Sequence, residues 1–223
     1  MILRSNLQRL RKKASTGRVL DVGGWYRPFN LATHVLDLLP YATRRTGEPL
    51  DPEDSERFTE ATWLVGDACT SPWPYPDKFF DFIVCSHLLE DVRDPIAVCR
   101  EMVRVGRAGY IETPSRCREI FTKERWSGLR ALKGGMPEIG FYHHRWFVEL
   151  EGTHLRFTPK TVALTESRQN YLTRRDIGRK LTEAESGLGL FWEGGFSWEE
   201  VFADPRDDYA AFRRRALAQL NGR

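Results

Sequence analysis

Apolar positions in the first half of the chain fall in short, nearly unbroken runs. Arg18–Val22 leads into Asp21-Val22-Gly23-Gly24, Thr33–Leu36 stops at Asp37, and Thr62–Val65 stops at Gly66-Asp67. Phe79–Cys85, interrupted only by Asp81, and Ala108–Thr113, halted by Pro114, complete a set of five. Runs with so little alternation predict parallel strands covered on both faces. Between the fourth and fifth the period changes. Ile96, Cys99, Met102 and Val103 recur at helical spacing, with Asp94 suited to the N-cap and Pro95 to the first helical position. Leu3, Leu7 and Leu10 share the same period and predict an amphipathic N-terminal helix over 1–17, packed on the domain. Alternation of strands and helices predicts a doubly wound α/β sheet that binds ligands at the carboxyl ends of its strands.

The second half has a different texture. Residues 115–144 mix Arg, Lys, Gly and aromatics without a period and predict a lid inserted after the fifth strand. Trp146–Leu150 and Thr153–Phe157 alternate around Glu151-Gly152, which predicts a hairpin over 145–158. Residues 159–223 predict a helical extension, with Gly187, Gly189, Gly194 and Gly195 as breaks. Its last helix, from about Asp207 to Leu220, would carry Tyr209, Phe212, Ala216 and Leu220 on one face. The expected organisation is thus a single domain over 1–223, with its ligand-binding core at 18–114.

Composition narrows the function classes. With 223 residues, 41% of them hydrophobic and 29% charged, the chain can bury a substantial core. Apolar runs such as Phe82–Cys85 reach only four residues, far short of a membrane span of about 20. Met1–Leu3 meets Arg4 at once, so no secretory apolar region opens the chain. Cys69, Cys85, Cys99 and Cys117 form no CxxC pair, which suits a reducing cytoplasm without disulfides or a zinc site. A net charge of +3 disfavours nucleic acid as the main partner, although residues 1–18 hold six basic residues and no acid.

The candidate chemistry is a glycine turn followed by acids, each placed just after a strand. Gly23-Gly24 lets a ligand approach the backbone closely. Asp37 could accept hydrogen bonds from both hydroxyls of a ribose, and Asp67 from the exocyclic amine of adenine. Together they outline an adenosine site. Each residue alone also fits a tight turn or a helix cap.

These residues resemble the core of the class I S-adenosylmethionine-dependent methyltransferases, in the subgroup called methyltransferase type 11. The resemblance rests on Val19-Leu20-Asp21-Val22-Gly23-Gly24, Val35-Leu36-Asp37 and Gly66-Asp67-Ala68. It is most specific in Pro74-Tyr75-Pro76-Asp77-Lys78-Phe79-Phe80-Asp81 and in Ser86-His87-Leu88-Leu89-Glu90-Asp91-Val92-Arg93-Asp94-Pro95. It covers residues 18–114 and implies a Rossmann-like, mostly parallel seven-stranded sheet. It further implies that Asp21, Gly23 and Gly24 hold the methionine part of the cofactor and that Asp37, with Leu38, holds the ribose. Asp67 with Ala68 would meet the adenine, and Ser86 and His87 would lie beside the sulfonium.

The chain departs from the family pattern where Gly24 is followed by Trp25-Tyr26-Arg27-Pro28. Fourteen positions separate Gly23 from Asp37, so the intervening helix should be one or two turns. Trp25 and Tyr26 could roof the cofactor or pack beneath the N-terminal helix. Beyond the fifth strand, His143 or His144 is the expected catalytic base, since an imidazole can take a proton as the methyl arrives. Glu112 with both histidines has the composition of a metal site, but no spacing supports it, and no metal is expected. Arg116, Arg118, Lys123, Arg125, Arg130 and Lys133 make the lid basic and suit an anionic acceptor. Trp126, Tyr142 and Trp146 could stack on a sugar ring or floor the lid. The expected activity is O-methylation of a small molecule or saccharide in biosynthesis. The alternatives are N-methylation, a nucleic-acid methyltransferase, a nicotinamide oxidoreductase or a non-catalytic cofactor-binding protein.

Overall fold

The computed structural model describes residues 2–44, 55–122, 139–201 and 205–221. Helix α1 (Arg4–Ala14) is followed by strands β1 (Val19–Val22), β2 (His34–Asp37), β3 (Trp63–Val65) and β4 (Phe82–Ser86). Helix α2 (Pro95–Val105), strand β5 (Ala108–Pro114) and the one-turn helix α3 (Arg116–Glu119) complete the first half. Then come β6 (Trp146–Glu151), β7 (His154–Pro159), the short helices α4 (Arg174–Ile177) and α5 (Glu183–Ser186), β8 (Gly187–Glu193), β9 (Ser197–Glu200) and α6 (Pro205–Asn221).

The main sheet has the order β3-β2-β1-β4-β5-β8. Its first five strands are parallel, and β8 runs antiparallel to β5. Alternation along the strands shows why the sequence runs are continuous. Leu20, Val22, Ile83 and Cys85 join a cluster with Val98, Cys99, Met102 and Val105 of α2. Val19, Phe82 and Val84 instead join Leu10 and Ala14 of α1. Both faces are covered, so both sets of side chains are apolar. Helix α2 starts as its sequence predicts, with the Asp94 carboxylate accepting from the Ala97 N–H at 2.8 Å. The final helix buries Tyr209, Phe212, Ala216 and Leu220 as expected.

Three expectations are corrected. The main sheet has six strands among the described residues rather than seven: β6 and β7 form the expected hairpin, but with β9 they make a separate three-stranded sheet. No helix lies between β1 and β2. The connection is tied by side chains instead, Asp37 Oδ2 accepting from the Trp25 N–H at 3.0 Å and Asp21 Oδ2 from the Phe29 N–H at 2.8 Å. Helix α1 covers that face. Finally, the supposed helical extension contains β8 and β9. The glycines of β8 are close-approach positions rather than breaks: a Cβ on Gly189 would come within 2.7 Å of the Asn6 amide and the Tyr110 hydroxyl. Residues 123–138 of the expected lid lie outside the described residues. Among those described, no helix is long and apolar enough to cross a membrane.

Candidate active site

In the order β3-β2-β1-β4-β5-β8, chain connectivity reverses direction between β1 and β4, which is where open α/β sheets bind ligands. A cavity of about 290 Å³ opens there, lined by Asp21, Gly23 and Gly24 from the end of β1 and by Val84, Ser86 and His87 from the end of β4. Ile2, Tyr26, Arg27 and Phe29 complete its wall. Gly23 has φ +80°, the left-handed region, and a Cβ there would strike Leu88 at 2.8 Å. A Cβ on Gly24 would meet Asp21 Oδ2 at 2.4 Å. The two glycines therefore let the turn close over a buried carboxylate. Burial pushes the Asp21 pKa up to about 7, the Phe29 N–H opposing and Asp37 reinforcing the shift. The group is poised to ionise when a cation arrives.

His87 is the pivot of the site. Its φ of +55° is a left-handed conformation that costs about 1–2 kcal/mol for a residue with a Cβ. Its backbone N–H donates to the Glu112 carbonyl at 2.8 Å, Nε2 lies 3.2 Å from Glu112 Oε1, and Nδ1 lies 3.3 Å from Glu90 Oε1. Both carboxylates are buried. Burial alone would lower the His87 pKa, but the two glutamates outweigh it and raise the pKa to about 9. Glu112 Oε2 also accepts from the Leu3 N–H at 2.8 Å and from the Tyr110 hydroxyl, which anchors the start of α1 across the strand ends.

On the other side of His87 lies a second cavity of about 290 Å³, whose wall includes Leu3, Glu112, Arg118, Phe141 and Glu183. The Arg118 guanidinium sits 4.8 Å above the Phe141 ring. Glu183 Oε1 accepts from the Arg4 N–H at 2.7 Å, so both acids in this wall already serve the protein.

The expected adenosine contacts stand at the neighbouring strand ends, outside the first cavity. Asp37 accepts from Trp25 and Leu39 N–H groups, and burial raises its pKa despite these bonds. Each of its oxygens keeps a lone pair for a hydroxyl. Leu38 is 66% exposed and Val65 53%, forming an apolar shelf beside it. Asp67 accepts from the Cys69 N–H at 2.8 Å and pairs with Arg93. Burial pushes its pKa up, but these partners outweigh that and leave it below the ordinary carboxylate value. Ala68 is buried and its carbonyl accepts from the Trp73 indole at 2.9 Å.

Trp25 follows the packing alternative: it lies against the cluster that includes Leu10 and Ala14 of α1, with its indole donating to Thr43 after β2. Half-exposed Tyr26 does wall the cavity. His143 and His144 line neither cavity. They stand behind Phe141, which stacks on His144 at 4.5 Å; Glu119 Oε1 lies 2.5 Å from His144 Nδ1, Asp91 Oδ1 faces both Nε2 atoms at 3.7 and 3.9 Å, and Glu112 serves His87. Arg116 is bound to Glu149 at 2.7 Å, and Trp146 packs on the core with its indole on the Val92 carbonyl. Lys123, Arg125, Trp126, Arg130 and Lys133 lie outside the described residues. Sequence reasoning did not anticipate the roles of Glu90, Glu119 or Lys160. The only signal was the i, i+3 spacing of His87 and Glu90.

Residues 18–111 match the sequence model of a methyltransferase domain family. S-adenosylmethionine is the cofactor of such a domain. Among solved structures, the chain is similar to an S-adenosylmethionine-dependent methyltransferase from Mesorhizobium loti (19% identity, 52% of this chain and 55% of that one, TM-score 0.38). It is also similar to the PH0226 protein from Pyrococcus horikoshii (19% identity, 66% and 68%, TM-score 0.41) and to the [4+2]-cyclase SpnF (19%, 49% and 44%, TM-score 0.37). The match spans about half the length of the Mesorhizobium loti and SpnF chains. No curated protein matches the chain.

Proposed function

We propose that the chain is an S-adenosylmethionine-dependent methyltransferase acting on an oxygen of a small, anionic molecule or saccharide. The observation that carries this reading is the meeting of two cavities at His87, one over the β1–β4 reversal and the other beside Arg118 and Phe141. The residues present fit the cofactor. Asp21 can meet an ammonium at the end of the first cavity, the Gly23-Gly24 turn leaves room for the methionine part, and Asp37 with Leu38 offers a ribose acceptor beside an apolar shelf. Arg93, at the surface, is a weak partner for Asp67 and can be displaced by an adenine amine.

Bound there, the sulfonium supplies an electrophilic methyl group. The chain's own work is alignment, which for an in-line displacement can supply roughly 7–11 kcal/mol of the barrier. His87, held as an imidazolium at neutral pH with its two ring nitrogens toward Glu112 and Glu90, fixes the boundary between the two cavities. Arg118 over Phe141 suits a carboxylate or phosphate attached to a flat or apolar body. An acceptor oxygen that is already anionic needs no base.

Calorimetry with S-adenosylhomocysteine and with NAD tests the reading. The expected result is binding of the former only, weakened by about 10–100-fold in Asp37→Ala through loss of a hydroxyl acceptor, with little change in folding. Binding of NAD alone, or unaltered binding by Asp37→Ala, would overturn it.

A further inference from the structure

We propose that Asp91, His143 and His144 bind one divalent transition-metal ion of the class that takes imidazole and carboxylate donors, such as zinc or ferrous iron. The inference rests on this donor set and not on the methyl-transfer reading.

One donor atom from each residue lies within 4.8 Å of the others. Asp91 Oδ1 is 3.7 Å from His144 Nε2 and 3.9 Å from His143 Nε2, too far for hydrogen bonds. Around a tetrahedral ion with ordinary zinc bond lengths, neighbouring donors stand about 3.4 Å apart. Each Asp91 distance needs to shorten by only about 0.3–0.5 Å, and the two histidine donors, within 4.8 Å of one another, close further by side-chain rotation of half-exposed His143. The Asp91 Oδ1 atom is buried and has no hydrogen-bond partner among the described residues, an arrangement that costs free energy unless a cation occupies the gap.

The surroundings fix the orientation of His144. Glu119 Oε1 holds His144 Nδ1 at 2.5 Å, and Lys160 Nζ neutralises Glu119 Oε2 at 2.6 Å. With Nδ1 engaged by Glu119, His144 turns Nε2 toward the unpartnered Asp91 Oδ1, so a cation between them would be held from both sides. A carboxylate behind a histidine is also the usual outer partner of a metal-bound imidazole. The adjacent histidines converge because residues 142 and 143 form a turn, whereas on a strand neighbours would point to opposite faces. Three protein donors leave a fourth position open, reached past the half-exposed His143.

Titration of the tag-free full chain with zinc chloride in a calorimeter is the test, with the metal alone as probe. One equivalent should bind, with affinity reduced at least about 100-fold in Asp91→Asn and His143→Ala, and about 10–100-fold in Glu119→Gln. His154→Ala should bind like the parent. His143 is half exposed, so its variant should fold normally by circular dichroism. Failure of the parent to bind zinc, or equal binding by Asp91→Asn and His143→Ala, would overturn the proposal.

Discussion

Two histidine–carboxylate clusters sit within one loop of each other, and their counter-charges give them different chemistry. His87 stands between Glu90 and Glu112 and retains its proton to about pH 9. His144 also touches a buried glutamate, but Lys160 already balances Glu119, and the far nitrogen faces Asp91. In the first cluster the histidine is the cation. In the second the glutamate is shared with a lysine, and the far imidazole nitrogen faces an unpartnered carboxylate oxygen. Residue type alone does not distinguish them; the charge next to each glutamate does.

Removing Glu119 should break this contrast most severely. Glu119→Ala leaves Lys160 buried without its carboxylate, a change worth about 3–5 kcal/mol. Thermal unfolding should shift down by about 6–20 °C for a chain of this size. A shift under about 2 °C would mean that the pair is not an anchor.

The first cluster should respond through its proton. Glu112→Gln removes one charged partner, so the His87 pKa should fall by about 1–2 units, as expected for losing a hydrogen bond to a charged group. The sign follows from the raised value: the imidazolium stabilises the fold fully below its unfolded pKa, and this contribution fades as pH rises through about 9. Histidine titration by NMR reads the shift directly. An unchanged midpoint would assign the raised pKa to another partner.

Asp21 sharpens the comparison from the ligand side. Near pH 7 its carboxyl is partly protonated, and a bound cation would expel that proton. Affinity for S-adenosylhomocysteine should therefore fall as pH drops below 7, by up to about tenfold per unit. Asp21→Asn should flatten this dependence. A parallel slope in the variant would place the titrating group elsewhere.

The legible parts of the molecule are those in which one local rule decides the outcome. Strands β1 to β5 show as apolar runs because both faces are covered, and α2 shows its Asp94-Pro95 start because capping is local. Strand β8 was hidden, since Gly187 and Gly189 read as breaks until the approach of α1 explains them. The missing helix between β1 and β2 was hidden too, because Asp21 and Asp37 satisfy that segment's N–H groups from a distance. At the site, Asp21, Gly23, Gly24, Ser86 and His87 converge because each lies at or just past the carboxyl end of β1 or β4, at the sheet's reversal. Asp91, His143, His144, Glu119 and Lys160 come from separate segments, and no spacing in the sequence announces their contact.

The central claim is that the cavity at the β1–β4 reversal receives the methionine half of a nucleoside cofactor. A crystal structure of the chain grown with S-adenosylhomocysteine tests it most directly. The expected result is the amino-acid end beside Asp21 and Gly24, the sulfur facing His87, and the ribose on Asp37. A nucleoside bound elsewhere while that cavity holds only solvent would contradict the account.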